Sequence, residues 1–189
     1  MNKRSSQPTC LFTIFALTCA SLAAFAPQVR AASAAQINRD ARSALQDLYA
    51  INPKAKAIGA RAAAVLVFPS VKKGGFLVAA QHGDGALISG GRTIGYYQTV
   101  AASYGLQAGI QKFGYALFFM NQQAMAHLHD QGGWELGSAP SIVIVDKGVS
   151  KGLNTTKLKK GIYAFFFSQK GLMGGLGFQG SKITEIQPR

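Results

Sequence analysis

The chain has 189 residues, with 20 Lys and Arg against 7 Asp and Glu, a formal net charge of +13 and 48% hydrophobic residues. An apolar content this high with so few charges excludes a disordered chain, and the length suits one domain with a sizeable core. Composition alone does not choose among a membrane, a nucleic acid and a protein as the partner of so basic a chain.

The first segment has the three parts of a secretory signal peptide. Lys3 and Arg4 precede an apolar run at residues 10–26, and small residues cluster around 31–35. This pattern is typical of export followed by cleavage. We expect cleavage after Ala31, which makes residues 1–31 the signal peptide and residues 32–189 a single domain. An uncleaved anchor helix is the alternative, because the run has about the minimum length of a spanning helix.

Both cysteines of the chain, Cys10 and Cys19, fall within this segment. The exported domain is therefore expected to contain no disulfide and no thiolate metal ligand. Cys19 is also a candidate for lipid attachment, which would make the protein a lipoprotein. The expected location is the periplasm or the outer membrane of a Gram-negative bacterium.

Two helices are predicted at the start of the domain. One face of residues 33–50 carries apolar side chains at helical spacing: Ile37, Ala41, Leu45 and Leu48. Asn52 followed by Pro53 is typical of a helix N-cap and first helical position. The second helix is predicted to run to about residue 62.

Short apolar runs separated by glycines follow, and they predict strands. Residues 65–68 are closed by Pro69, and residues 75–81 and 86–89 predict two strands joined by a hairpin turn at 82–85. Gly90 and Gly91 predict another turn. Further strands are predicted at residues 93–102, 104–110, 112–120, 141–145, 162–168, 172–178 and 182–186.

The predicted fold is α+β. The N-terminal helices are expected to pack on a curled, mostly antiparallel, barrel-like sheet. One short helix, capped by Asn121, is inserted near residues 121–130.

Sequence patterns that carry catalysis are incomplete in this chain. The GxGxxG pattern at residues 175–180 lacks the following helix that a dinucleotide site requires. His127 and His129, two positions apart on a predicted helix, point away from each other and make a poor metal site. We predict a non-enzymatic protein with no catalytic residue, no metal site and no cofactor.

Three stretches resemble the SYLF domain family: residues 65–76 (VLVFPSVKKGGF), 95–109 (GYYQTVAASYGLQAG) and 163–183 (YAFFFSQKGLMGGLGFQGSKI). The resemblance extends over roughly residues 35–187. It implies binding of phosphoinositides or other anionic lipids, and in some eukaryotic members actin bundling. Secreted bacterial members of the family resemble envelope proteins.

Basic residues supply the candidate site, because each one near an anionic membrane contributes about 1 kcal/mol. The predicted partners are anionic membrane lipids. Nucleic acid would attract the same charge, but export makes it an unexpected partner, and actin is not expected in a bacterial envelope. The candidate lipid-binding residues are Arg39, Arg42, Lys72, Lys73, Lys170 and Lys182. The alternative is a structural or interaction protein of the envelope that meets a protein partner and whose lysines maintain solubility.

Overall fold

The structure is a computed structural model that describes residues 32–76, 78–104, 109–129, 132–136, 142–145, 161–171 and 181–189. The predicted signal peptide at 1–31, both cysteines, the strand predicted at 172–178 and the GxGxxG pattern at 175–180 lie outside the described residues. Residues 32–189 form one compact unit.

The unit begins with helices α1 (Ala34–Ile51) and α2 (Pro53–Gly59), and a short helix α3 (Gln122–Met125) continues as a 3-10 helix over Ala126–His129. The strands are β1 (Ala64–Phe76), β2 (Val78–Ser89), β3 (Arg92–Tyr104), β4 (Gly109–Phe119), β5 (Trp134–Glu135), β6 (Ile142–Ile144), β7 (Ile162–Gly171) and β8 (Ser181–Ile186).

The described strands form one curled sheet in the order β5-β8-β3-β2-β1-β4-β7-β6. The pairing of β6 with β7 is parallel, and β1 to β4 pair with their neighbours in antiparallel fashion. The predicted α+β fold, with N-terminal helices, a curled and mostly antiparallel sheet and a short inserted helix, is confirmed. The short strand β5 was not predicted.

The helix starts are set by capping side chains. The Ser33 hydroxyl accepts a hydrogen bond from the Gln36 backbone N–H at 3.3 Å. The Asn52 side-chain oxygen accepts from the backbone N–H groups of Lys54 and Ala55, both at 3.1 Å. These bonds satisfy backbone donors that have no partner within the first helical turn. The predicted N-cap Asn52 is therefore confirmed, and α2 ends at Gly59, three residues earlier than predicted.

The sheet has an apolar core on each of its faces. Alternation along β1 places Val65 and Val67 on the face that α1 covers, which we call the α1 face, and Leu66 and Phe68 on the opposite face. The α1 face is buried by the side chains of the helix that the sequence had predicted to point inward, Ile37, Ala41 and Leu48. The opposite face packs against Leu128 and Trp134.

The predicted hairpin turn at residues 82–85 is wrong. Strand β2 runs through this segment without interruption, and the chain reverses instead between Phe76 and Val78, which are register partners. The predicted end of the first strand at Pro69 is also wrong, because β1 continues to Phe76. An irregularity in the β1–β2 register between Val67 and Lys72 accommodates Pro69, as β-bulges commonly do.

Two glycines of that segment are needed for close strand packing. A Cβ atom on Gly85 would lie 2.5 Å from the Val67 carbonyl oxygen and 2.6 Å from a Phe68 ring carbon. A Cβ atom on Gly83 would lie 2.8 Å from a Val71 methyl carbon. These glycines therefore permit β1 to approach β2 closely, whereas the sequence pattern had suggested that they form a turn. The turn predicted at Gly90 and Gly91 is confirmed by their positive φ angles of 54° and 75°.

Candidate functional site

Several lysines lie side by side on neighbouring strands, in a row that runs across the sheet. Lys72 on β1 is the register partner of Lys112 on β4, and Lys112 is the register partner of Lys170 on β7. Side chains directly opposite each other on neighbouring strands project from the same face. All three side chains are exposed.

The same row continues in the other direction from Lys72. Its partner on β2 is His82, followed by Val100 on β3 and Lys182 on β8. Each of these residues is also exposed. We call Lys72, Lys112, Lys170 and Lys182 the lysine row.

The lysine row lies on the α1 face, beyond the part that α1 covers. Along β4, Lys112 alternates in phase with Ala116 and Phe118, which are buried in the core beneath α1. Neighbouring strands lie about 4.8 Å apart, so the lysines of β1, β4 and β7 follow one another at close intervals. Within the part of the chain that the structure describes, no carboxylate lies within 4.0 Å of the Lys72 or Lys112 ammonium. This stretch of the row is therefore a concentrated positive strip.

Acidic groups stand near the two ends of the row. Glu135 on β5 is the register partner of Lys182. At the other end, a cavity of about 360 Å³ separates α1 from the sheet. Its lining combines lysine, carboxylate and hydroxyl groups: Asp40, Ser43, Ala44, Asp47, Pro69, Ser70, Lys112, Ser168 and Lys170. Lys112 and Lys170 therefore share this cavity with two carboxylates, whereas Lys72 does not line it.

Three of the six predicted site residues, Lys72, Lys170 and Lys182, are brought together in this row. Lys73 is half-buried, and because it follows Lys72 directly it projects from the opposite face. The structure does not place Lys73 in the same group as Lys72.

The two predicted arginines lie on α1 and are engaged elsewhere. The Arg39 guanidinium donates to the Gln36 side-chain oxygen within the helix. The Arg42 guanidinium donates to the Gly91 carbonyl oxygen at 2.8 Å and to the Asn38 side-chain oxygen at 2.9 Å. Arg42 therefore ties α1 to the β2–β3 turn, at the end of β2 remote from the lysine row.

Lys112 is not among the residues predicted from sequence, because it stands alone at the start of a long apolar strand. Its neighbours in the sequence, Gln111 and Phe113, are both buried. The sequence of residues 110–113 gives no local signal, because the apolar Ile110 is exposed and the polar Gln111 is buried. The register with Lys72 and Lys170 comes from the fold.

The described residues contain no group of three or more His, Cys, Asp or Glu side chains arranged to hold a metal ion. The His127 ring stacks on Trp134, with centroids 5.8 Å apart and an interplanar angle of 18°. Among the described helices, none combines the length and the hydrophobicity that crossing a bilayer requires.

Residues 100–188 match the family model described as Ysc84, Las17-binding protein actin regulator. No curated protein matches the chain. The matched span includes β4, β7 and β8, and therefore Lys112, Lys170 and Lys182 of the lysine row. This match confirms, over residues 100–188, the resemblance to the SYLF (Ysc84) family that the sequence motifs predict.

Proposed function

We propose that this domain binds the anionic head groups of phospholipids at a membrane surface, without catalysis, through the lysine row. The observation that carries the proposal is the strand register, which aligns Lys72, Lys112 and Lys170 on one exposed row. Residues that are remote in the sequence thereby form one positive strip.

The shape of this strip suits a surface better than a single small anion. Its lysines are spread over strands spaced about 4.8 Å apart, so the charges form a line and do not converge on one point. A bilayer presents many phosphates side by side, and each lysine close to it contributes about 1 kcal/mol. Because charges are screened over about 8 Å at physiological ionic strength, binding through the row is expected to be reversible and sensitive to salt.

The family contributes to the lipid proposal only through what the resemblance of the three sequence stretches implies. The matching model is described by Las17 binding and actin regulation, and we do not extend either property to this chain. We place the protein in the envelope because residues 1–31 have the pattern of an export signal. Phosphatidylglycerol and cardiolipin are then the anionic lipids that it would meet.

The proposal is tested by sedimentation of residues 32–189 with vesicles. This fragment is the compact unit, and it omits the apolar run at 10–26, which would itself bind lipid. Vesicles of phosphatidylcholine alone are compared with vesicles that also contain phosphatidylglycerol, at low and high salt. The variant Lys72→Glu/Lys112→Glu removes the middle of the row, and Lys56→Glu/Arg61→Glu changes the net charge equally at exposed positions near α2.

We expect the wild type and the α2-side control to sediment with the phosphatidylglycerol vesicles at low salt, and the row variant to remain in solution. High salt should reduce the bound fraction of the wild type. An equal loss of vesicle binding in both variants would mean that the net charge of the domain, and not the lysine row, determines binding. Absence of wild-type binding to any vesicle at low salt would reject the lipid function and favour a protein partner.

A further inference from the structure

The end of the sheet beyond the lysine row is apolar and exposed. Ile110, Phe76 and Val78 are exposed by 78%, 73% and 51% of their surface. Phe76 and Val78 are register partners at the reversal between β1 and β2, and Ile110 is the register partner of Gly74. We call Phe76, Val78 and Ile110 the apolar tip.

The apolar tip and the lysine row share one face of the sheet. Phe76 follows Lys72 by four residues and Ile110 precedes Lys112 by two, with regular pairing in between, so each pair projects to the same side. The positions between the row and the tip are small and uncharged: Gly74, Ala80 and Ala102. The surface therefore changes from charged to apolar toward the β1–β2 reversal.

The spacing of these two regions matches the depth profile of a bilayer leaflet. At about 3.4 Å per residue, Ile110 lies roughly 7 Å and Phe76 roughly 14 Å further along the strands than the lysine row. The polar region of one leaflet is about 5–8 Å thick. If the ammonium groups lie at the level of the phosphates, the tip reaches the acyl chains.

We propose that the apolar tip inserts into the acyl region of an anionic bilayer while the lysine row holds the phosphates. The inference rests on the proposed function and adds the orientation of the domain and the depth of insertion. The charge of the adjoining row favours a bilayer as the occupant of the tip, because the phosphates complement the lysines and the acyl chains complement Phe76 and Ile110. Insertion also supplies an attraction that salt does not screen.

The depth is measured by tryptophan fluorescence on residues 32–189. The single native tryptophan, Trp134, is buried, and the wild type supplies its background signal. Phe76→Trp reports on the tip. Ile94→Trp is the matched control, because Ile94 is also exposed but lies on β3 next to the β2–β3 turn, at the opposite end of the sheet. The vesicles contain phosphatidylglycerol and lipids brominated on the acyl chains.

Insertion predicts a blue shift and quenching by the brominated chains for Phe76→Trp and neither change for Ile94→Trp. Sedimentation of all these proteins without quenching of Phe76→Trp would overturn the inference and leave the lipid function standing. Equal quenching of both probes would overturn the proposed orientation. Failure of every protein to sediment would reject both proposals.

A second variant tests the energetic contribution of the tip. Phe76→Ser/Ile110→Ser should bind phosphatidylglycerol vesicles about tenfold more weakly, since partial burial of two large apolar side chains is lost. The wild type should also keep more binding at high salt than this variant does. Unchanged affinity would contradict insertion. Conversion of a wild-type dimer in solution to a monomer by the same substitutions would overturn it as well, by assigning the tip to a contact between copies of the chain.

Discussion

Lys72 on β1 and Lys112 on β4 are direct register partners, and their ammonium groups project side by side from an exposed face of the sheet. Like charges opposite each other on neighbouring strands destabilise a sheet. The pair therefore costs free energy of folding, and its value to the protein is expected to lie in binding. Stability and binding should consequently respond in opposite directions to changes at this pair.

Lys72→Glu should stabilise the fold while weakening vesicle binding. The new carboxylate would face Lys112 directly, and an opposite-charge cross-strand pair contributes about 0.2–1 kcal/mol. Urea denaturation should show a free energy of unfolding that is higher by about this amount. Lys72→Gln is the control, with an intermediate effect on both quantities. A variant that is less stable than the wild type would argue against repulsion within the row.

Arg42→Ala should lower stability and leave vesicle binding nearly unchanged. The substitution removes the hydrogen bond from the guanidinium to the Gly91 carbonyl oxygen, and loss of such a bond costs about 1 kcal/mol at a half-exposed site. Thermal unfolding and sedimentation, measured on the same samples, separate the two effects. Arg39→Ala is the matched control, because its guanidinium contacts only its own helix among the hydrogen bonds described. A loss of vesicle binding as large as that of the lysine-row variant would show that Arg42 is part of the lipid-binding site.

Gly114→Ala should destabilise the sheet by about 1–3 kcal/mol, the usual cost of overpacking a core. A Cβ atom at this position would lie 2.3 Å from a ring carbon of Phe167, its register partner on β7. Gly74→Ala serves as the control, because the nearest atoms to its Cβ would be 3.8 Å away. Chemical denaturation of both variants gives the comparison.

The cause of that effect can be isolated with a double variant. Gly114→Ala should lower the free energy of unfolding by less in a Phe167→Leu background, because the ring that the new Cβ atom would contact is absent. If the changes in free energy of unfolding of the two single variants add up in the double variant, the Phe167 ring is not what destabilises Gly114→Ala.

Stability should fall as the pH rises above 10. Burial, together with the negative charge of Glu185, raises the pKa of Tyr97 to about 12. The phenol remains neutral in the folded state between pH 10 and 12, whereas it ionises in the unfolded chain. The unfolded state therefore binds fewer protons in this window, so the free energy of unfolding decreases with pH. Tyr97→Phe should make the decrease between pH 10 and 12 less steep without abolishing it, because burial also raises the pKa of Tyr115. An unchanged slope in denaturation curves would rule out Tyr97 as a contributor.

Local chemistry explains which parts of the fold were predictable from sequence. Asn52 and Asn121 cap helices through their own side chains, and these contacts depend on residues two or three positions away. The hairpin was misplaced because Gly83 and Gly85 have the composition of a turn. Their actual role, space for Val71 and Phe68 of β1, depends on a neighbouring strand.

The candidate site was only partly predictable for a similar reason. Lys72, Lys170 and Lys182 lie inside the stretches that resemble the family, so the resemblance selected them. Lys112 joins them through the register of β4 with β1 and β7, and a register is fixed by the packing of whole strands. Likewise, the engagement of Arg42 with Gly91 links residues remote in sequence, and no local pattern shows it.

The two apolar cores, one on each face of the same sheet, have a consequence for how the molecule opens. Consecutive residues of β1 and β4 alternate between the cores, as Val65 and Leu66 do on β1 and Leu117 and Phe118 do on β4. Neither strand can leave one core without disrupting the other, so their backbone amides become accessible to solvent only when the whole domain unfolds. Hydrogen exchange should therefore be slowest along these two central strands, and the free energy that it reports there should equal that of global unfolding. Lys72 and Phe76 lie on the outer end of β1, and Ile110 and Lys112 lie on the outer end of β4. The centre of the proposed membrane-binding surface is therefore carried by the two strands that are expected to unfold last.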